Sequence, residues 1–297
     1  MVDQSTAREL AGSRLEGGRA SELRIGSDEH KRAFCRMLLD THDPYKPAVI
    51  DWPKLSDEAF ARLTALPIWN IAVQIEGRAS IAVRTYGEAV ADPLLKEAVL
   101  MDAGEEARHK DVLSKMVASY GIALDPEPGY PAPADAEWAF MTTGYAECLD
   151  SFFAFGLFEV ARRSGFFPEA LVETFEPVIQ EEARHILFFV NWLAWRRRQL
   201  ALPARLWFNL RCLACFLGRI KGRIDTAFDV KGRAGDKKKD KNFTATTSKA
   251  FAGDLKIGDL LRLCLAENDR RMARYDPRLQ RPTLVPRLVK LALKFVG

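Results

Sequence analysis

Histidine and cysteine are both scarce, with four and five residues respectively in a chain of 297. The five cysteines (Cys35, Cys148, Cys212, Cys215 and Cys264) are odd in number and widely scattered, so a disulfide-stapled scaffold is not expected and reduced thiols are the default. Long apolar runs are missing as well. The longest, residues 186–195, is interrupted by Asn191 and falls far short of the about 18 residues a membrane span needs. The first residues lack the apolar core of a leader, because Asp3, Arg8, Glu9, Arg14 and Glu16 break them up, and a cytoplasmic location is the expectation. Strand signals are nearly absent: there is no sustained period-two alternation and there are no Asn-Gly turns. What is present is 48% apolar and 28% charged, the composition of a folded chain with a large core rather than a disordered one.

Charge is unevenly placed. Residues 1–195 carry 19 Lys+Arg against 31 Asp+Glu, while residues 196–297 carry 25 against 9, so the two parts stand at −12 and +16. The basic third therefore faces something anionic: a lipid surface, nucleic acid, or the acidic part of the same chain.

Proline and glycine divide the acidic part into four long helical segments, at about 56–86, 93–121, 135–165 and 168–199. Pro93 and Pro168 suit helix starts, Asp135 suits an N-cap, and Gly121 and Gly165 suit helix ends. Short turns at 87–92 and 164–167 make two antiparallel hairpins, hence a four-helix bundle. The linker between them, 122–134, contains four prolines and at up to ~3.3 Å per residue reaches ~43 Å, enough to run the length of the bundle. The fold class expected is all-α, a four-helix bundle over 56–200, with an N-terminal extension over 1–55. A basic helical extension over 201–297 follows, holding helices at about 204–228, 257–275 and 287–296 and a Lys-rich linker at 231–242.

The string Glu-Glu-Ala-Arg-His occurs twice, at 105–109 and 181–185, each about thirteen residues into a helix that opens with proline. Residues i and i+3 share a helix face, so Glu106 with His109, and Glu182 with His185, each offer a carboxylate and an imidazole to a common ion. Two further inward carboxylates, one from each hairpin partner, complete a di-metal site in a bundle. Glu76 lies 17 residues before Pro93 and Glu106 13 after it, a good match in height. On the third helix Glu159 sits about two turns, ~10 Å, out of register and is rejected. Glu147 is in register, its face carrying Phe140, Gly144, Ser151, Ala154 and Phe158, with Asp150 as the fallback. Both chosen glutamates have a serine four residues on, Ser80 and Ser151. Trp69, Val73, Phe140, Phe155 and Phe158 are expected to shape a dry cavity.

With these residues in place, the chain resembles the ferritin-like di-iron carboxylate superfamily across about residues 56–200, and in motif is most similar to the bacterial di-iron monooxygenases. The resemblance implies two iron ions, or a manganese–iron pair, held by Glu76, Glu106, His109, Glu147, Glu182 and His185. It implies that Glu105 and Glu181 orient histidines of the opposite hairpin, with Arg108 and Arg184 balancing their charge. Ser151 would stand where such enzymes carry a proton-relaying threonine. The activity implied is O2-dependent hydroxylation or desaturation of an apolar organic substrate, fed by an external electron donor. Iron handling with peroxide reduction, and a tRNA-modifying hydroxylase, are the alternatives. A tyrosyl-radical role is not expected, because Leu113 stands four residues after His109. The single Cys212–Cys215 spacing reads as core rather than a rubredoxin iron. Bundles of this type often pair as homodimers.

For the basic third, residues 287–296 put Arg287, Lys290 and Lys294 on one side of an amphipathic helix. Peripheral contact with the inner face of an anionic membrane and packing on the acidic bundle both stay open. The run Lys237–Lys241 lacks interleaved aromatics, which makes nucleic acid the weaker partner.

Overall fold

The structure, a computed structural model, describes residues 23–66, 68–232 and 256–296, and all regular structure within them is helical. The helices are α1 (Asp28–Asp40), α2 (Asp57–Thr64), α3 (Trp69–Ala89), α4 (Pro93–Ser119), α5 (Ala136–Ser164), α6 (Glu169–Gln199), α7 (Leu202–Gly232), α8 (Ile257–Met272) and α9 (Leu284–Val296), with one 3-10 turn at Pro47–Val49. The helix expected at 56–86 is two helices. Pro67 stands between them in sequence, and a proline has no N–H for the helical ladder and disfavours helical backbone in the residue before it. Of the Lys-rich stretch at 231–242, residues 231–232 end α7 and the rest lies outside the described residues.

Local sequence sets the helix ends. Asp92 accepts from the backbone N–H of Leu95 ahead of α4, and Asp135 from that of Trp138 ahead of α5, each satisfying a donor that the first turn leaves open. α5 stops at Gly165, whose φ of 63° is the left-handed region a glycine adopts without strain.

Helices α3 to α6 are the bundle. Residues 90–92 join α3 to α4 and residues 165–168 join α5 to α6, making two hairpins, and the link between the hairpins, 120–135, runs along α3. Asn70 accepts from the backbone N–H of Asp125, Tyr130 lies against Gly77, and Pro128, Pro131 and Pro133 gather beside Arg78 and Ala82. A Cβ at Gly77 would come 2.9 Å from the Tyr130 ring, so the glycine is what lets the crossover lie flat. The core between the hairpins is aromatic. Trp192 is fully buried, its Nε1 donating to Tyr86 Oη at 3.0 Å, with Phe140 stacked on Tyr86.

Residues 28–40, part of the stretch read from sequence as an extension, form α1, which buries Phe34, Cys35 and Leu38 in this core. His30 Nε2 lies 2.9 Å from Asn191 Oδ1 on α6. On the far side α7, α8 and α9 pack on α5. All five cysteines are free, and Cys212 and Cys215 are buried in the core.

Gly144 of α5 faces Phe189 of α6 so closely that a Cβ would stand 2.3 Å from the ring. Gly144→Ala is expected to cost roughly 1–3 kcal/mol, because Phe189 is wedged between Phe140, Tyr145 and Trp192. Gly104→Ala, an exposed helical position with nothing within 4 Å, is expected to gain about 0.5–1 kcal/mol. Denaturant titration of the two variants measures the contrast.

Candidate metal centre

Four helices send polar groups into the otherwise apolar middle of the bundle. α3 supplies Glu76, α4 supplies Asp102, Glu105, Glu106 and His109, α5 supplies Glu147 and Ser151, and α6 supplies Glu181, Glu182, Arg184 and His185. Asp102, Glu105, Glu106, His109, Glu181, Arg184 and His185 are all buried.

The arrangement crosses between hairpins. His109 turns Nε2 to Glu181 Oε2 at 2.8 Å and Nδ1 to Glu182 Oε1 at 3.2 Å, with Glu76 Oε2 at 3.8 Å. His185 turns Nε2 to Glu105 Oε2 at 2.7 Å and Nδ1 to Glu106 Oε1 at 2.9 Å. The two rings stack with centroids 5.6 Å apart. Each glutamate behind a ring is held in turn by arginines. Arg184 pairs with Glu105; Arg108 reaches Glu181 Oε1 at 2.6 Å while lying over the Tyr45 ring. A carboxylate accepts only, so a neutral imidazole hydrogen-bonded to it at Nε2 keeps its Nδ1 lone pair facing inward.

Those inward atoms lack hydrogen bonds. His109 Nδ1, His185 Nδ1 and Glu106 Oε1 are buried without an aligned hydrogen bond, although Glu182 Oε1 stands 3.2 Å from the first and the other two are 2.9 Å apart. With the imidazoles neutral, these converging atoms direct lone pairs at shared space, which is what a cation needs; without a cation, protons hold that space. Ligand atoms of Glu76, Glu106, His109 and Glu182 lie within 4.8 Å of one another, and so do those of Asp102, Glu106 and His185. Glu106 belongs to both groups. The third cluster, His42 with Glu105 and Glu181, is already occupied by arginine and imidazole hydrogen bonds.

Charge makes the same point. Glu105 and Glu181 have guanidinium partners at hydrogen-bond distance, whereas Glu76, Glu106, Glu147 and Glu182 have the imidazoles as their cationic neighbours, and Asp102 has His185 and, less directly, Arg184. Burial pushes Glu106 up to about 7 and Asp102 up to about 6, and raises Glu76 and Glu147 well above the carboxylate range, neighbouring carboxylates adding to each. Burial also opposes ionisation of Glu105, but His185, Arg184 and His42 outweigh it and hold the group well below its ordinary value. Glu182 is lowered against burial by His109, His185 and the Ser151 hydroxyl. Burial works to lower both imidazoles, yet the surrounding carboxylates raise them well above 6.5. Protons balance this charge in the absence of metal, and divalent cations would displace them.

Glu147 is partly buried and outside the three clusters; the carboxylates of Asp102, Glu182 and Glu76 and the imidazole of His185 all act on it. Ser151 Oγ donates to Glu182 Oε2 at 2.8 Å, whereas its counterpart Ser80 donates to the Ala103 carbonyl at 3.0 Å. Glu159 is taken by Arg162 and Arg163, and Asp150 lines a surface cleft with Arg219.

Two residues escaped the sequence reading. Asp102 is one turn before Glu106 and is the lone acid in an apolar stretch of α4, a signal that was available. The other, His42, places Nδ1 on Glu105 Oε1. Its approach depends on how α1 docks, which no local pattern encodes.

An apolar cavity of about 180 Å³ begins one helical turn from the cluster, at Leu113 after His109 and Ile179 before Glu182. Trp69 and Phe158 line it, as expected, but Phe140 and Phe155 belong to the main core and Val73 is not among the lining residues. For Phe140 the reason is the Gly144–Phe189 contact, which draws the first half of α5 against α6.

No family model, curated protein or solved structure matches this chain.

Proposed function

We propose that this chain is a ferritin-like di-iron carboxylate enzyme that uses O2 to oxidise a small apolar substrate. The observation that carries the reading is the pair of buried Nδ1 atoms with Glu106 Oε1, all lacking hydrogen-bond partners, beside a cavity walled by hydrocarbon. Carboxylate and imidazole donors without any thiolate in the clusters suit iron or manganese rather than softer ions. Glu76, Glu106, His109, Glu147, Glu182 and His185 would hold two ions, which supply the electrons and open positions that O2 reduction requires.

The chain's own groups have distinct tasks. Glu105 and Glu181 keep the imidazole Nε2 protonated and the rings fixed, so that Nδ1 stays directed inward. Ser151 Oγ holds a proton at Glu182 Oε2, where a proton can be delivered. The cavity binds substrate and excludes water. At about 180 Å³ it is close in size to an engineered ~150 Å³ cavity that takes up benzene, so the substrate portion inside it is a single ring or a short alkyl segment.

Ala154 lines the cavity one turn beyond Ser151. In anaerobically reconstituted protein, Ala154→Phe is expected to keep its metal and its O2 uptake while product formation from a small aromatic or alkyl substrate falls roughly tenfold or more. Product formed at an undiminished rate by that variant would place the substrate elsewhere. Oxygen consumption that yields no oxidised organic product with any ring or alkyl substrate would reject the oxidase reading itself.

A further inference from the structure

Among the exposed large apolar side chains of the described residues, Leu284, Leu288, Leu291 and Phe295 form a single stripe along α9. It spans twelve residues, about 16 Å of helix from first to last. The opposite face is already used: Val285 and Val289 pack with Phe152, Leu157 and Val160 of α5 and with Leu260, Leu261 and Cys264 of α8. The stripe therefore has no partner among the described residues, and what stands beside it is one-signed. Residues 277–297 contain five Lys/Arg and no Asp or Glu. Arg287, Lys290 and Lys294 are exposed and form no ion pair among the described residues, whereas Arg62, Arg108, Arg162, Arg184, Arg211 and Arg271 are each paired with carboxylates.

At the start of the same helix, three of these cations gather round a cleft. Arg281, Arg287 and Lys290 line it together with Thr283, Asn268 and Asp269, and its volume is about 370 Å³. Arg281 donates from Nη2 to the Tyr275 carbonyl at 2.8 Å, while its Nη1 is buried with no partner. Asp269, the one acid in the cleft, is exposed and accepts from Asn268 at 3.2 Å. Positive side chains at a helix N-terminus oppose the helix dipole, and an anion resolves that conflict.

We propose that α9 and this cleft are a docking site for a bilayer containing anionic phospholipid, with the lipid phosphate held by Arg281, Arg287 and Lys290 and the leucine–phenylalanine stripe lying among the acyl chains. The chemistry is that of an interfacial helix: an apolar face enters at the headgroup boundary and neighbouring lysines remain with the phosphates. No helix of the described residues is long and apolar enough to cross a membrane, so the contact is peripheral. A bilayer fits better than a soluble phosphate ester, because only a bilayer also covers the stripe. The inference stands independently of the metal centre.

Flotation of the full chain with vesicles tests it, comparing about 30% anionic phospholipid with purely zwitterionic lipid. The expected result is recovery with anionic vesicles only, reduced roughly tenfold by Leu288→Glu with Leu291→Glu and similarly by Arg287→Gln with Lys290→Gln. All four positions are exposed, and an unchanged thermal midpoint in both double variants separates lost docking from lost fold. Equal recovery with both vesicle types, or recovery indifferent to both double variants, overturns the proposal. So does binding of inorganic phosphate at the cleft without vesicle recovery, which marks a site for a soluble phosphate. A dimer that the leucine variant converts to monomer, again without recovery on vesicles, shows that the face joins two copies of the chain.

Discussion

Glu106→Ala is expected to leave a folded chain that retains no metal after desalting, where the parent retains about two ions per chain. Among the described residues Glu106 is the one side chain common to the two groups of donors around His109 and His185, so on the proposed reading its loss takes a ligand from both ions at once. Glu76→Ala touches only the group around His109 and is expected to leave about one. Metal analysis on anaerobically reconstituted protein reads this directly. Two ions retained by the Glu106 variant would mean that the clusters are not the site. The fold is expected to survive because removing Glu106 relieves its like-charge repulsion with Glu182, Glu147 and Glu76 and leaves His185 its hydrogen bond to Glu105. The remaining cost is that of a small cavity, about 1–3 kcal/mol.

The second large effect is a reversal of pH dependence by metal. In metal-free protein, burial raises Glu106 to about 7 and Asp102 to about 6, with Glu76 and Glu147 also raised. The folded state then binds more protons than the unfolded one between the unfolded carboxyl range and about pH 7, and stability falls as pH rises through that window. His109 and His185 act in the same direction, since their folded values also lie above the unfolded one. Their contribution is complete below pH 6.5 and is lost on going above it. From pH 5 to pH 8 the metal-free chain is therefore expected to lose on the order of 5 kcal/mol, which for a chain of this size lowers the thermal midpoint by roughly 10 °C or more. Metal binding needs the deprotonated groups, so the loaded protein is expected to gain stability over the same interval. Melting curves at the two pH values with and without Fe(II) or Mn(II) decide the matter. A metal-free midpoint that rises with pH would show that the carboxylates are compensated by something other than protons.

What could be read from sequence was what repeats within a helix. The i, i+3 placement of Glu106 with His109 follows from 3.6 residues per turn, and the ends at Pro93, Asp135 and Gly165 follow from capping chemistry; both are properties of a few consecutive residues. The height of Glu76 against Glu106 needed only a short turn at 90–92. The reading weakened wherever the answer depended on side-chain volume across an interface. The cavity lining was half misjudged because the absence of a Cβ at Gly144 lets Phe189 fill the space that Phe140 was expected to border. His42 was passed over because α1, which carries it to Glu105, is tied down by Phe34 on Phe188 and by His30 on Asn191, contacts far apart in the chain.

The crossed pairing of imidazoles and glutamates has a consequence for the newly made chain. Glu105 meets His185 across 80 positions, and Glu181 meets His109 across 72. While the first hairpin is emerging during synthesis, His109 has neither the carboxylate that fixes its tautomer nor Glu182 in front of it, and it offers a passing ion one loose chelate. On the proposed reading, capture waits until α6 has been made and has closed a long loop, so a metal can be selected only after the two hairpins have met.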